Sequence, residues 1–367
     1  MKNSATLIKN AYLTGSDPIS LVHFISLKCN ARCKHCFIDF DDPQMYQGEM
    51  TIDEIREMTK HMGNSLLNAN LTGGEPFLRR DIFEIAEAYF KNAGVKSLYI
   101  TTNGMYTNLI KEFIDKFLAS GIDGKLVFAI SIDNFEKAHD ENRRVGGLFQ
   151  SALKSYHMIK DYHRPNLLAD MALTVTHHNY KDVVPLYDYL KKEHGVNAFT
   201  VSAMRAEGII RSISPETKAD IQRSYTQLTN LVRQDIIKKM AVGFRGTLQG
   251  RIMNAKNLIT YRIIQETYQR PQYISHCPAG ALFGVIYSNA DVYPCEILHN
   301  HKLGNLRDYH LNFMSLWKDR AAGETKKFIK DTNCHCSYEC AWSLNIISNI
   351  RYIPELTWGV IRSYLPI

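Results

Sequence analysis

No run in this chain approaches the roughly 20 consecutive apolar residues that cross a bilayer. A secretory signal is missing too: the opening "MKNSATLIKNAYLTGSDP" has lysines but no apolar run of the required length. There is no cysteine between Cys36 and Cys277, although the chain has 8 in all. Without an export signal, that distribution argues against a disulfide framework. It points to thiols kept reduced, as metal ligands or catalytic groups, in a protein expected to be cytoplasmic. Charge of a single sign is lacking as well. With 44 Lys and Arg against 37 Asp and Glu the net charge is only +7, which admits an anionic substrate but no nucleic-acid partner. Low-complexity tracts are absent, and 45% hydrophobic residues suit an ordinary globular protein with a large core.

What is present is an alternation. The β-like runs "LVHFISL", "LLNANLT", "KSLYITT", "KLVFAISI", "LLADMALTV" and "NAFTVSA" are separated by helical patterns such as "TIDEIREMTKHM" and "NLIKEFIDKFLASG". Thr51 with Glu54 forms the sequence of a capping box, and Gly94, Gly121 and Gly195 stand where helices end. Six strand–helix units in series predict a parallel sheet, because each return to a parallel neighbour needs a crossover helix. The expected fold class is therefore α/β: a partial (β/α)6 TIM-like barrel with a small C-terminal α+β module. Chemistry in such sheets sits at the C-terminal ends of the strands. The expected divisions are a lead-in over 1–19, the barrel core over 20–210, a helical connection over 211–275, the module over 276–345 and a tail over 346–367. In the connection, "SPETKADIQRSYTQLTNLVRQDIIKKM" predicts one long helix capped by Ser214, followed by a less periodic stretch to about residue 275. "ALFGVIYSNADVYPCEIL" predicts two strands around an Asn-Ala-Asp turn.

Directly after the first strand, "CNARCKHC" places Cys29, Cys33 and Cys36 at spacing C-x3-C-x2-C. Three thiolates can hold three corners of a [4Fe–4S] cube and leave the fourth iron open to a small molecule. A structural zinc would want a closed set of four. This spacing resembles the signature of the radical S-adenosylmethionine (radical SAM) superfamily, whose open iron chelates SAM and whose cluster cleaves it to a 5′-deoxyadenosyl radical. His35 fills the position where that family has a residue beside the adenine. "LTGGEPFLR" resembles its glycine-rich segment: the resemblance implies that Gly73 and Gly74 let backbone approach the SAM ammonium and that Glu75 supplies a countercharge. "TTNG", with Thr102 and Asn103, and "SID", with Ser131 and Asp133, resemble the strand ends that line the SAM pocket. "HDENRRVGGLFQSAL" resembles the stretch whose arginine meets the SAM carboxylate, and both Arg143 and Arg144 compete for that role. Asn179 and Arg205 follow the fifth and sixth strands at familiar positions.

The remaining cysteines, Cys277, Cys295, Cys334, Cys336 and Cys340, resemble the SPASM and twitch extensions of that superfamily, which bind auxiliary clusters. Five cysteines imply one auxiliary [4Fe–4S] cluster held by four of them. Cys277 and Cys295 lead, and Cys334 and Cys340 rank ahead of Cys336. If Cys336 is the spare thiol, it is a hydrogen-atom donor to a substrate radical and the enzyme is an epimerase. Arg205, Tyr287, Asp291 and Glu296 are candidate substrate residues, with Tyr293 beside them.

The resemblance implies an oxidoreductase served by a flavodoxin- or ferredoxin-type reductant. Its substrate, not identified by the sequence, is expected to be a small molecule, a sugar or a lipid-linked intermediate, with the auxiliary cluster accepting an electron. A peptide-modifying maturase is the alternative, weakened because only residues 1–19 precede the first strand. A non-catalytic electron carrier would need no SAM pocket. The tail "LNIISNIRYIPELTWGVIRSYLPI" reads as a last helix under the barrel, or as an aromatic face touching a membrane or a partner.

Overall fold

A computed structural model describes residues 4–40, 47–205, 213–241 and 247–365. The expected boundary at 210/211 lies outside them. A short helix α1 (Ser4–Lys9) precedes β1 (Ser20–Ser26); α2 (Ile52–Lys60) then leads to β2 (Asn68–Gly73), α3 (Ile82–Lys91) to β3 (Ser97–Thr102), and α4 (Thr107–Ala119) to β4 (Lys125–Ser131). Two helices, α5 (Glu136–Arg143) and α6 (Leu148–Asp161), precede β5 (Leu167–Val175), and α7 (Val183–His194) precedes β6 (Phe199–Ala203). Beyond lie α8 (Pro215–Ile237), α9 (Leu248–Thr267), β7 (Phe283–Ile286), β8 (Asp291–Tyr293), β9 (Gly304–Asn305), α10 (Phe313–Trp317), α11 (Arg320–Asp331), α12 (Glu339–Ser348) and α13 (Ile353–Tyr364).

All six expected strands form, in the parallel order β6-β5-β4-β3-β2-β1. The local signals hold: Thr51 and Glu54 close a reciprocal capping box on α2, and Ser214 caps α8 with Pro215 at its first turn. Gly195 ends α7 in the left-handed conformation.

The sheet does not stop at six strands. β7 pairs in parallel with β1, Val22 opposite Val285, and carries β8 and β9 on antiparallel edges, so the hairpin continues the barrel's own sheet. A second difference is α9, which occupies the stretch expected to be irregular. Thr247 caps it, and its buried face mixes Ala255, Ile259, Ile263 and Ile264 with Lys256, Thr260 and Thr267, which blurs the helical period in the sequence.

The two sheet faces differ in chemistry. Outward side chains such as Ile25, Leu71, Ile100, Phe128, Met171 and Val201 lie in the main core under the helices, each contributing about 1.5–3 kcal/mol by burial. On the inner face at β1 and β7, Val22, Phe24, Phe283 and Val285 pack with Tyr338, Ala341 and Leu344, which seats α12 against the sheet. The rest of that inner face carries a polar set: Asn70, Tyr99, Thr101, Thr174 and Ser202 are partly exposed and Thr200 is exposed. At the sheet's edge, the Ala203 N–H donates to Glu339 Oε1 at 2.8 Å, so α12 also caps a strand that would otherwise be free to pair.

The tail is a helix packed on α9, with Gly359 against Ala255 and Leu356 buried, while Trp358, Ile361 and Tyr364 stay exposed. No helix among the described residues is long and apolar enough to cross a membrane.

Candidate active site

The three-cysteine loop leaves β1 and is tied to every neighbouring strand end. Gly74 N–H donates to Ser26 O (2.9 Å) and Glu75 N–H to Lys28 O (2.8 Å) from the end of β2. From the end of β3, Asn103 Nδ2 donates to Asn30 Oδ1 (2.8 Å). From α5, the carbonyls of Arg143 and Asn142 accept the N–H groups of Arg32 and Lys34, both at 3.0 Å. The Cys29 sulfur accepts from Ala31 N–H at 3.3 Å. Burial pushes the Cys29 and Cys36 thiols up to about 11 and raises Cys33, and Cys29 and Cys36 each also feel Cys33. These are soft donors on one rigid loop, already receiving N–H bonds at sulfur, which is the donor set an iron–sulfur cube takes.

Backbone geometry sends the two adjacent arginines to different environments. Arg143 ends α5 pointing inward, buried, with Nε 2.9 Å and Nη2 2.7 Å from Asp133 Oδ2. Arg144 stands at the left-handed cap (φ 56°) and is exposed. Burial alone would raise the Asp133 carboxyl, but the Arg143 guanidinium, then His35 and His139, outweigh it and hold it below the usual range. Asn142 Nδ2 can only donate, so His35 Nδ1 accepts it (3.1 Å) and His35 Nε2 faces Asp133 Oδ2 at 3.8 Å. A small pocket lined by Lys34, Asp133, Asn134, Asn142, His178 and Asn179 opens here. Asn142 Oδ1 has no protein partner in it.

Four expected cofactor residues, Glu75, Asn179, Gly73 and Gly74, also serve the scaffold. Both Glu75 oxygens are engaged, with Thr102 Oγ1 and Asn103 N–H at 2.8 Å and Phe77 N–H at 3.1 Å, so the carboxylate joins the ends of β2 and β3. Asn179 donates to Asp133 O (2.7 Å) and Thr174 O (2.8 Å) and accepts from Thr176 N–H (2.6 Å), clamping β4 to β5. Gly73 and Gly74 also have a packing reason to be glycine. A Cβ at Gly73 would lie 1.8 Å from Ser26 O, and one at Gly74 2.1 Å from Lys28 O. Thr102 accepts from Gly104 N–H, and Ser131 lies partly exposed at the strand end beside Asp133.

The second cysteine group is arranged differently from its ranking in the sequence. Cys277, Cys295, Cys334 and Cys336 line a single recess with Ile297, Leu298, Ala341 and Trp342, and Cys340 is not in its wall. Cys336, ranked last from the sequence, belongs with the other three because the turn before α12 points it inward. Cys340 lies a helical turn further on. Burial pushes Cys277 and Cys295 up to about 12 and raises Cys334 and Cys336. Four thiols around one largely apolar recess, Cys295 and Cys336 buried and Cys277 and Cys334 half-buried, suit a group that replaces their protons with metal. Among the described residues, no three Cys, His, Asp or Glu side chains converge as around a single metal ion.

Between the two cysteine groups stands a cation. Arg205 Nη2 donates to Glu296 Oε2 at 2.8 Å, and its guanidinium stacks over Tyr338 (4.3 Å) and Phe37 (5.4 Å). The Tyr338 hydroxyl donates to Glu296 Oε1. Phe37 follows Cys36, Glu296 follows Cys295, and Tyr338 is two residues after Cys336, so the Arg205 cluster spans from one group to the other. Tyr287 stacks on Phe24 nearby at 4.9 Å. Asp291 is elsewhere: it binds Lys302 (2.7 Å) and Asn305 (2.8 Å) at the hairpin turn, with Tyr293 on the same side. Tyr338 and Phe37 escaped the sequence reading, because an aromatic next to a cysteine carries no signal until packing brings it over a cation.

Residues 24–190 match the family described as the Radical SAM superfamily. The pre-heme d1 synthase of Dinoroseobacter shibae is 31% identical over 48% of this chain, which spans only 41% of that protein's length. The AdoMet-dependent heme synthase of Methanosarcina barkeri is 26% identical over 79% of each. Among solved structures, anSMEcpe with bound AdoMet has a TM-score of 0.61 at 18% identity, covering 95% of this chain and 99% of that one. SuiB of Streptococcus suis bound to precursor peptide SuiA has a TM-score of 0.59 at 20% identity, covering 88% and 70%. These likenesses establish the fold: an open, mostly parallel sheet flanked by helices.

Proposed function

Since residues 24–190 of this chain are a radical SAM domain, we propose that the whole chain uses two iron–sulfur clusters to abstract a hydrogen atom from an enclosed polar substrate. Cys29, Cys33 and Cys36 would hold a [4Fe–4S] cluster, which would supply one-electron chemistry toward bound SAM. Arg143, held by Asp133, is placed to receive the SAM carboxylate, and Asn142 with its free Oδ1 to hold the rest of the cofactor near His35. The observation that carries the two-cluster reading is the common recess of Cys277, Cys295, Cys334 and Cys336. An auxiliary cluster there gives the site a second one-electron port, fed by a flavodoxin- or ferredoxin-type protein.

The polar inner face supports a hydrogen-bonding substrate. Asn70, Thr101, Thr174, Thr200 and Ser202 present hydroxyls and an amide from four strands, and buried Asp170 accepts from Thr200. Such a surface rewards a hydroxylated small molecule or the polar head of a lipid-linked one, and leaves a flat apolar ring poorly matched. Arg205, fixed by Glu296 at the rim, is the cation for an anionic substituent.

The test is anaerobic reconstitution with iron and sulfide analysis. About eight irons in the parent and about four after Cys29, Cys33 and Cys36 are all changed to alanine would support the division of labour. Loss of all iron in that variant, or zinc in the C-terminal recess, would refute the auxiliary cluster.

A further inference from the structure

The last helix, α13, carries apolar side chains on the face that points away from the protein. Its rotation is fixed by what it packs against. Leu356 is buried in the main core, a Cβ at Gly359 would lie 2.7 Å from Ala255 Cβ on α9, and Arg251 Nη1 donates to Ser363 O at 2.7 Å. Residues 356, 359 and 363 form one stripe at helical spacing, so Pro354, Trp358, Ile361 and, just past the last turn, Leu365 form the stripe opposite. On an ordinary surface helix that outermost stripe is polar or charged. Here Trp358 is 59% exposed, and Ile361 and Leu365 are each 48% exposed.

The apolar surface extends past the stripe. Ile350 and Ile353 are exposed at one end and Tyr364 at the other. At the Tyr364 end Lys239 Nζ donates to Leu365 O at 2.8 Å, with exposed Met240 next to it, and exposed Leu248 begins the helix of Arg251. Among the described residues, more than half of the exposed large apolar side chains lie on or beside this helix. Such side chains are ordinary one at a time, but a contiguous set marks a contact surface.

The charge around this surface has one sign. Arg351 and Arg362 are exposed on it, Arg251 stacks over Tyr364 at 3.8 Å, and Lys239 stands at its end. Among the described residues, none of these cations forms an ion pair with a carboxylate. The acids on α9 and α13 are Glu355, paired with Arg262 at 2.7 Å, and Glu266 a turn beyond Arg262. That combination decides the occupant. A second copy docked by a twofold would bring the same cations against one another. An aromatic and aliphatic stripe rimmed by arginine and lysine instead matches the headgroup zone of an anionic bilayer, where rings sit among headgroups and cations meet phosphate.

We propose that α13 docks the protein on an anionic membrane surface, lying in the interface with Trp358, Ile361 and Leu365 among the lipids. This holds whatever the cysteines bind. The Ile353 end of the helix lies toward the active site. Arg262, which holds Glu355, is less than two turns before Tyr268, whose hydroxyl donates to Met204 O beside Arg205 at 2.6 Å.

The experiment uses the anaerobically reconstituted full chain and sedimenting vesicles of phosphatidylcholine with about 30% phosphatidylglycerol. The parent should sediment with them, and at least tenfold less with pure phosphatidylcholine. Trp317 and Trp342 are buried, so a blue shift of the emission on binding reports Trp358. Trp358→Ser with Ile361→Ser, both at exposed positions, should keep the parent's iron content and thermal midpoint yet sediment at least tenfold less. Arg351→Gln with Arg362→Gln should lose the preference for anionic vesicles. A parent that stays in the supernatant, sediments without a blue shift, or binds neutral vesicles equally well refutes the proposal. So does equal sedimentation of parent and Trp358/Ile361 variant. If the parent is a dimer in analytical ultracentrifugation, the same variant a monomer, and neither binds vesicles, the face belongs to a second copy and the membrane reading is overturned.

Discussion

Gly73→Ala tests whether the β2 strand end and the cysteine loop are one packed unit. The new Cβ would sit 1.8 Å from Ser26 O and 3.0 Å from Ser26 C, where carbon prefers about 3.5 Å or more. The obstacle is backbone, so no rotamer change relieves it. Gly73 also has φ +140°, a conformation that side chains rarely adopt. Relief requires the two strand ends to part by over an ångström, roughly, which breaks the Gly74–Ser26 and Glu75–Lys28 hydrogen bonds at about 1 kcal/mol each. Backbone strain and overpacking add about 1–3 kcal/mol between them. The expected loss is about 4 kcal/mol, close to a thousandfold in the folding equilibrium. Because Cys29 is three residues beyond Ser26, the same displacement should strip about half the iron from the reconstituted protein. Urea unfolding of the apo chain reads the first effect and iron analysis the second. A variant with parental iron and a loss below about 1 kcal/mol would refute the reasoning.

Two further perturbations follow from buried charge. Asp133→Asn leaves Arg143 buried without its carboxylate and should cost about 3 kcal/mol at pH 7. Because the folded Asp133 titrates below its unfolded value of about 3.9, its contribution is present above that pH and lost as pH falls through the folded value, so the gap to the parent should close under acid in paired denaturation curves. A gap that persists at pH 2 would show that packing, not charge, was lost. Burial lowers Lys256 to about 8, with Cys340 opposing the shift, so above that pH the unfolded chain binds more protons and stability rises up to about pH 10.5. Lys256→Met should be more stable than the parent at pH 7, by about 3 kcal/mol, and lack that rise. Thermal unfolding at pH 7 and pH 9.5 checks it, and an unstabilised variant at pH 7 would contradict the charge argument.

The sequence by itself determined what is local. The strands β1 to β8 showed in short apolar runs, the caps of α2, α7 and α8 in one or two residues, and Cys29, Cys33 and Cys36 had to share a loop because only six residues separate the outer two. Where a residue's role was set by neighbours along the chain, reading it off was sound. Tertiary structure decided everything that depends on distant segments meeting. It separated Arg143 from Arg144, because one ends a helix facing inward and the next turns left-handed into solvent. It gave Gly73 a packing reason where the motif had suggested a cofactor reason. It brought β7 to β1 across more than 250 residues, since an edge strand leaves backbone groups unpaired and the hairpin satisfies them. And it sorted Cys336 from Cys340: four residues apart on a chain entering a helix, they face different spaces, a distinction set by the walls of each recess and not written in the spacing of the cysteines.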